Sequence, residues 1–431
     1  MTSGNVSDEP IAYRNDEALE RLGAMADLFL LHDRPIHMRT DDSIVRAIDR
    51  RPPLLLRRSR GYVPDSLPVP LGTGGAVLAC GAELKSTFCL AKGGRAWVSH
   101  HIGDLQNAET SRSFREGIAH YERLLAVTPA VVAHDLHPDY LSSAYALERE
   151  DVRLVGVQHH HAHLAACLAE HGETGPAVGV IFDGSGYGTD GTVWGGEILV
   201  GDLAGVVRAG SLHAVRMPGG EAAIREPWRM ACAWLVAAQG ALPPMPLAFQ
   251  GRIDVGRWRA VSQIAASGLS SPVTSSVGRL FDAVAALVGL RMVVTFEGQA
   301  ATLLEASVDP AERGTLPMPV ERSDEGLTID AYETIREVVA QVAAGVPTGV
   351  VAARFHNALA GAAASACAMA AADADVDLVV LSGGVFQNRV MLERTARLVV
   401  SAGLRVLVPE RLPPNDGGVS YGQAAVAAAT T

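Results

Sequence analysis

Lysine is nearly missing from this chain. Of 36 basic residues only Lys85 and Lys92 are lysine, so each calls for a functional reading. Basic runs are missing as well: net charge is −11, and only Arg51 to Arg60 is locally basic. Phosphate neutralisation needs a basic surface, which argues against nucleic acid as the main partner. Cysteine is sparse. Cys80, Cys89, Cys167, Cys232 and Cys367 form no CxxC pair, and they read as buried free thiols rather than disulfides or zinc ligands. No apolar run reaches the roughly 20 residues needed to cross a bilayer. Residues Met1 to Asn5 lack the basic-then-apolar start of a signal peptide, so the cytoplasm, away from membranes, is the expected location. Neither lysine follows a glycine, which removes a GxxxxGK(S/T) phosphate loop. What remains, 431 residues with 48% hydrophobic and 19% charged content, is an ordinary globular protein long enough for two or three domains.

Histidine is concentrated instead. Val157-Gln158-His159-His160-His161-Ala162-His163 packs four of fourteen histidines into five positions. The apolar run Leu164 to Ala169, then His171-Gly172, predicts a helix of about three turns that stops at Gly172. On such a helix His159 and His163 stand at i and i+4 and leave one face. That is the spacing of a two-histidine metal site. No glutamate follows the first histidine, so the hydrolytic base of a zinc protease is missing. A polar helix start is the bland alternative for one pair; four histidines ahead of a glycine-rich strand turn favour a metal. His160 and His161 fall on other faces, where a supporting or surface role is expected. His100, His101, His134 and His137 flank strands and are assigned core or loop roles.

Read in order, residues 1–65 begin with the loop Thr2-Ser3-Gly4-Asn5 and contain an amphipathic helix over about 16–30. They are few for an independent core. Residues 66–75, rich in proline and glycine, read as a linker. A β-meander follows: strand 76–80, turn 81–85, strand 86–91, a Gly93-Gly94 hairpin turn and strand 95–100. A helix over 109–126 and a strand over 130–135 lead to the histidine helix. Then the meander recurs, with strand 177–182, a polar turn 183–188, a hairpin turn at Asp190-Gly191 and strand 192–200. The recurrence predicts a duplicated architecture, two related lobes facing each other across a cleft. Helices are expected through 226–304, 332–344 and 350–372, with an irregular stretch or hairpin over 320–329. Strands at 378–381 and 404–408 and a final alanine-rich helix complete an α/β pattern.

Polar glycine turns at strand ends are where open α/β sheets bind ligands. Asp183-Gly184-Ser185-Gly186, Met217-Pro218-Gly219-Gly220-Glu221 and Ser382-Gly383-Gly384 are therefore candidate phosphate and ribose contacts, with Asn388 just beyond the third. Each glycine turn alone is also a common tight connection. Glu221 is suited to accept hydrogen bonds from ribose hydroxyls. Asp183 and Asp416 are the carboxylates best placed to join His159 and His163; capping of the last helix is the alternative role for Asp416. Two imidazoles and two carboxylates suit iron, zinc or manganese. Lys85, in the first glycine-flanked turn, is the candidate to neutralise a phosphate or developing oxyanion.

The motifs VQHHHAH (157–163), FDGSGYG (182–188) and WGGE (194–197) resemble those of the HypF carbamoyltransferases of nickel–iron hydrogenase maturation. PGGE (218–221), GRLFDA (278–283), FEGQ (296–299) and NDGG (415–418) support the match over essentially the whole chain. The resemblance implies a duplicated actin-like (ASKHA) two-lobed carbamoyl-transfer domain over 76–431. Residues 1–65 would be the tail of a YrdC-like α/β domain, marked by Thr2-Ser3-Gly4-Asn5 and Arg57-Arg58. It further implies a divalent metal, iron or zinc, on His159, His163, Asp183 and Asp416. ATP or carbamoyl-adenylate would lie against the turns at Gly184, Gly219 and Gly383, and the carbamoyl group would pass to the C-terminal cysteine of HypE. In the family an acylphosphatase domain and a complete YrdC-like domain make the adenylate. Here those parts are missing, and the expectation is a chain that transfers carbamoyl but depends on a separate polypeptide for the adenylate. A fragment, a mis-called start and a split gene all fit that pattern. Two alternatives stay open: an O-carbamoyltransferase of natural-product tailoring, and a non-catalytic metal- and nucleotide-binding scaffold.

Overall fold

The computed structural model describes residues 4–5, 10–49, 51–70 and 74–431. The chain forms two compact units, residues 1–174 with 409–431, and residues 175–408. Thr2 and Ser3 of the predicted N-terminal loop, and 71–73 of the predicted linker, lie outside the described residues.

The first unit begins with helix α1 (Asn15–Leu22) and the antiparallel pair β1 (Ile44–Arg46) and β2 (Leu54–Arg57). Helix α1 is half the length that the sequence pattern predicts. Gly23 ends it, and Leu28 and Leu30 beyond are 91% and 101% exposed, with no core to hold a longer helix. A six-stranded sheet follows, from β3 (Leu67–Pro68), β4 (Val77–Ala79), β5 (Cys89–Lys92), β6 (Arg95–Val98), β7 (Val131–Asp135) and β8 (Arg153–Val157). Its order is β3-β6-β5-β4-β7-β8, with the meander antiparallel and β4, β7 and β8 parallel. Helices α2 (Ala108–Leu124), α3 (Leu141–Leu147) and α4 (His159–Glu170) fill the connections, and the C-terminal helix (Val419–Thr430) returns to this unit. Phe88, Phe114, Tyr121 and Tyr145 meet edge to face in its core.

The second unit repeats the plan. Strands β9 (Ala177–Tyr187), β10 (Val193–Gly201) and β11 (Val206–Leu212) form the antiparallel meander. The short β12 (Val215–Arg216) leads to helices α5 (Glu221–Arg225), α6 (Pro227–Gln239) and α7 (Val255–Ser267). Next come β13 (Val273–Thr274), α8 (Val277–Leu287), α9 (Gln299–Ala306) and the hairpin β14 (Val320–Ser323) with β15 (Gly326–Ile329). Helices α10 (Tyr332–Ala343) and α11 (Thr348–Ala374), strand β16 (Leu378–Ser382), helix α12 (Arg389–Ser401) and strand β17 (Arg405–Leu407) complete it. The sheet runs β14-β15-β11-β10-β9-β16-β17, with β9, β16 and β17 parallel. In each unit the third, second and first strands of a meander are followed by two parallel strands reached through helices. This is the duplicated actin-like α/β fold that the recurring meander predicts. Strand β16, buried along its whole length, is the continuous apolar run expected of a strand covered on both faces.

One element departs from expectation at a point that matters. The segment 183–188 is not a turn: β9 runs through Asp183, Gly184, Ser185 and Gly186 to Tyr187, paired with β10. A bulge between Trp194 and Gly196, with Gly195 at φ +159°, shifts the register and keeps the strands paired. The reversal comes at Asp190-Gly191, with Gly188 N–H on Thr192 O at 2.9 Å. Asp183 therefore lies within a strand rather than closing one.

Neutral His356 ties two helices of the second unit. Its Nδ1 donates to Ala352 O at 2.7 Å and its Nε2 accepts from Asn388 Nδ2 at 3.0 Å. Burial pushes its pKa down to about 4. The unfolded chain takes up this proton near pH 6.5, so stability falls as pH drops from there toward about 4. His356→Gln is expected to gain about 2–3 kcal/mol relative to wild type between about pH 7 and about pH 4.5 in urea unfolding. A difference independent of pH would contradict this.

Candidate metal and nucleotide site

Helix α4 starts where parallel strand β8 ends, with Gln158 as its cap: the Gln158 side chain accepts the His161 N–H at 2.9 Å. All twelve residues of α4 are buried. It follows that His160 and His161, expected in a supporting or surface role, are interior; His160 Nδ1 meets Gln158 Nε2 at 3.1 Å. The reason is packing on both sides. At Gly422 of the C-terminal helix, a Cβ would stand 1.9 Å from Ala162 O, so only glycine lets the two helices approach.

That approach brings Asp416 to the histidines. Asp416 opens a short 3₁₀ turn (Asp416–Gly418) before the C-terminal helix. His159 Nε2 and His163 Nε2 each lie 3.7 Å from Asp416 Oδ1, and the two rings are 5.0 Å apart. Asn415 caps the 3₁₀ turn: its Oδ1 accepts the Gly417 N–H at 3.0 Å, and its Nδ2 donates to Leu56 O at 3.0 Å. The Asp416 carboxylate faces the histidines.

Asp135 completes the arrangement and was not singled out by the sequence reading. It ends β7, paired in parallel with Val157 of β8, and its Oδ2 meets His159 Nδ1 at 2.7 Å. Its other oxygen accepts the His137 N–H at 2.9 Å, and Ser143 Oγ donates to its carbonyl. A carboxylate on Nδ1 fixes the tautomer that presents the Nε2 lone pair, which is the usual support of a metal-bound histidine. The available signal in the sequence was a carboxylate closing a buried parallel strand.

The donors suit a divalent ion. The ligand atoms of His159, His163 and Asp416 lie within 4.8 Å of one another. Ligands about 2.0–2.2 Å from one tetrahedral ion stand roughly 3.3–3.6 Å apart, so the 3.7 Å separations need only a slight contraction. Two neutral imidazoles and a carboxylate, without thiolate, match iron, zinc or manganese. In the second unit, Asp183 Oδ1 accepts the Gly384 N–H at 2.8 Å, joining the predicted β9 segment to the predicted Ser382-Gly383-Gly384 turn. Gly383 sits at φ +98°, where a Cβ would be 2.3 Å from Phe182 O.

The other predicted residues belong to several different elements. Lys85 lies in the turn between β4 and β5 at φ +48°, its N–H on Asp104 Oδ1 at 2.7 Å. Nearby, burial together with Arg57 and Lys85 pushes the His101 imidazole down to about 3, and burial raises Glu83 to about 7 against the pull of the Leu141 and Ser142 N–H groups. Gly219 and Gly220 take φ +84° and +57° ahead of α5. The Glu221 side chain is 84% exposed and meets Arg225 at 3.2 Å. Ser185 and Gly186 continue β9. Asn388, read as a nucleotide contact, is built into the fold: its Oδ1 caps α12 at Met391 N–H, and its amide serves His356. All five cysteines are buried free thiols, as expected.

Removing the second carboxylate should loosen the metal without removing a ligand. Asp135→Ala is expected to weaken zinc binding about 10–100-fold in a chelator competition, and His159→Ala or Asp416→Ala to abolish stoichiometric binding. Unchanged metal content in the latter two would sink the ligand set.

A family model described as carbamoyltransferase, Kae1-like domain, second subdomain, matches residues 179–423. The HypF Kae1-like domain model matches 73–170, and a Sua5/YciO/YrdC model described as telomere recombination matches 1–59. Carbamoyltransferase HypF2 of Cupriavidus necator is 41% identical over 99% of this chain and 56% of its own length. Carbamoyltransferase HypF of Rhizobium leguminosarum bv. viciae is 44% identical over 99% and 54%. A HypF homolog of C. necator is 36% identical over 84% of this chain and 93% of its own. A crystal structure of full-length HypF in the phosphate- and nucleotide-bound form superposes with a TM-score of 0.94 at 38% identity, covering 99% of this chain and 67% of that one. HypF of T. kodakarensis gives 0.90 at 32% identity, covering 99% and 56%. This chain thus spans about half the length of the first two curated relatives. By these matches over both units, the chain belongs to the HypF carbamoyltransferase family.

Proposed function

We propose that this chain transfers a carbamoyl group from carbamoyl-adenylate to the C-terminal cysteine of HypE, a step toward the cyanide ligands of a nickel–iron hydrogenase. The observation that carries the reading is the buried pair His159 and His163 facing one oxygen of Asp416, with Asp135 holding His159. A divalent ion, iron or zinc, held there would supply Lewis acidity toward a phosphate or carbonyl oxygen. Asp183 stands as a fourth ligand on the strength of the FDGSGYG resemblance. The glycine segments at 184–186, 219–220 and 383–384 are proposed to take the nucleotide, and Lys85 to neutralise negative charge during transfer. The phosphate- and nucleotide-bound relative supports the nucleotide part of the reading.

In the transfer the cysteine sulfur bonds to the carbamoyl carbon. The thiol has given its proton to solvent before it enters, the carbon–oxygen bond to the phosphate breaks, and AMP leaves with the electron pair. The chain's part is to exclude water from the adenylate and hold it in line with the thiolate. Residues 1–65 are proposed to be part of a YrdC-like domain, 66–75 a linker and 76–431 the transfer domain. No helix among the described residues is long and apolar enough to cross a membrane; the acidic charge favours a protein partner such as HypE over nucleic acid, and the cytoplasm is the proposed location.

The test is to mix purified chain, preformed carbamoyl-adenylate and HypE, and to follow the HypE mass. Wild type is expected to add one carbamoyl group at the C-terminal cysteine, and His159→Ala to be at least about 100-fold slower, the order of a lost catalytic electrostatic contact. Adenylate consumed without modified HypE would reject the HypE reading.

A further inference from the structure

The histidine pair with Asp416 suits an ion, and an ion addresses oxygen. A carbamoyl group carries a second feature, an NH2, which alone separates it from an acetyl group of the same shape. The nitrogen lone pair is drawn into the carbonyl, so the NH2 only donates hydrogen bonds. Its recognition therefore needs an acceptor near the metal ligands. The first unit supplies one that the site described above does not use.

Glu83 lies just past β4, the strand beside β7. Strands β4, β7 and β8 are parallel, so Glu83, Asp135 and His159 all follow or close strands at one edge of the sheet, where open α/β sheets bind ligands. Two sets of contacts hold the Glu83 turn on that edge. Gly81 donates its N–H to Gln423 Oε1 at 2.8 Å and accepts from Gln423 Nε2 at 3.2 Å, which ties the turn to the helix that follows Asp416. Glu83 Oε2 accepts the Leu141 N–H at 2.8 Å, at the far end of the loop that leaves Asp135.

The other carboxylates here are committed or exposed. Asp135 serves His159 Nδ1 and the His137 N–H, and Asp416 faces the histidines. Asp104, which is exposed, takes the Lys85 N–H. Glu83 is half-buried, and the Leu141 and Ser142 N–H groups at the head of α3 donate to it. They do not offset its burial: the carboxyl is pushed up to about 7, with Asp104 adding to the rise. A carboxylate so short of donors is stabilised by a donor that a ligand brings. A substrate N–H is such a donor, whereas an acetyl methyl in its place would leave the carboxylate unmet.

We propose that Glu83 selects carbamoyl over other acyl groups, its carboxylate accepting a hydrogen bond from the carbamoyl NH2. The proposal rests on the carbamoyl-transfer reading above and places its specificity in a residue outside the metal ligands. The purely structural role, holding the head of α3 through Leu141, is preserved in Glu83→Gln. There the amide oxygen still accepts the N–H, while the amide NH2 meets the substrate NH2 donor to donor.

Two constants measured on the metal-loaded chain test this: kcat/KM for carbamoyl-adenylate with HypE, and the inhibition of that reaction by acetyl-adenylate. Wild type should transfer carbamoyl and be inhibited only weakly. Glu83→Gln should lower kcat/KM at least about ten-fold, the order of a lost hydrogen bond to a charged group, and leave the acetyl-adenylate inhibition constant within two-fold. A structural lesion would shift both constants together. Should Glu83→Gln fail to fold, Glu83→Asp, whose carboxylate is one methylene short, should show the same split. An unchanged kcat/KM in a folded variant, or equal loss of both adenylates, would overturn the assignment while the transfer reading stands. A wild-type chain that does not modify HypE would overturn both.

Discussion

Everything at the histidine helix depends on one close approach, that of α4 to the C-terminal helix at Gly422. Four imidazoles in a fully buried helix are a heavy polar load, tolerable only where partners are supplied by the surroundings. The missing Cβ at 422 lets the C-terminal helix lie against Ala162, and this sets Asp416, six residues earlier, opposite His159 and His163. From the other side the parallel register of β7 on β8 sets Asp135 against His159 Nδ1. A helix contact and a strand register, neither of them local in sequence, thus decide how the imidazoles are oriented.

The same division separates what could be read from the sequence and what could not. The i, i+4 pair and its helix were legible because periodicity and a glycine stop are local, and α4 ends at Glu170 just ahead of Gly172. Asp416 was legible as a carboxylate heading a helix; in the fold the last helix has Gly418 at its N-cap and no side-chain cap. Asp135 was not, since only the pairing of two parallel strands reveals which side chain faces His159. The reading of 183–188 as a turn failed for a related reason. Glycine-rich polar segments usually reverse the chain, but here the compensating bulge lies at Gly195 in the partner strand.

Fold class was the more robust inference. The recurrence of strand, hairpin turn and strand at 76–100 and 177–200 predicted a duplication, and the two sheets share one order over a run of five strands. Helix lengths were less secure where no core backs the pattern, as at α1, whose expected second half is exposed. Asn388 shows a role that local sequence does not reveal: whatever it contacts in a ligand, its side chain caps α12 and meets His356.

The central claim is that His159 and His163 bind a divalent metal through nitrogen, with carboxylate oxygen and no sulfur. X-ray absorption at the zinc edge of the metal-loaded chain addresses it most directly. The account predicts nitrogen and oxygen scatterers at about 2.0–2.2 Å and the outer-shell pattern of two imidazoles, with stoichiometric zinc lost from His163→Ala. A sulfur shell near about 2.3 Å, a spectrum without imidazole, or full zinc content in His163→Ala would contradict it.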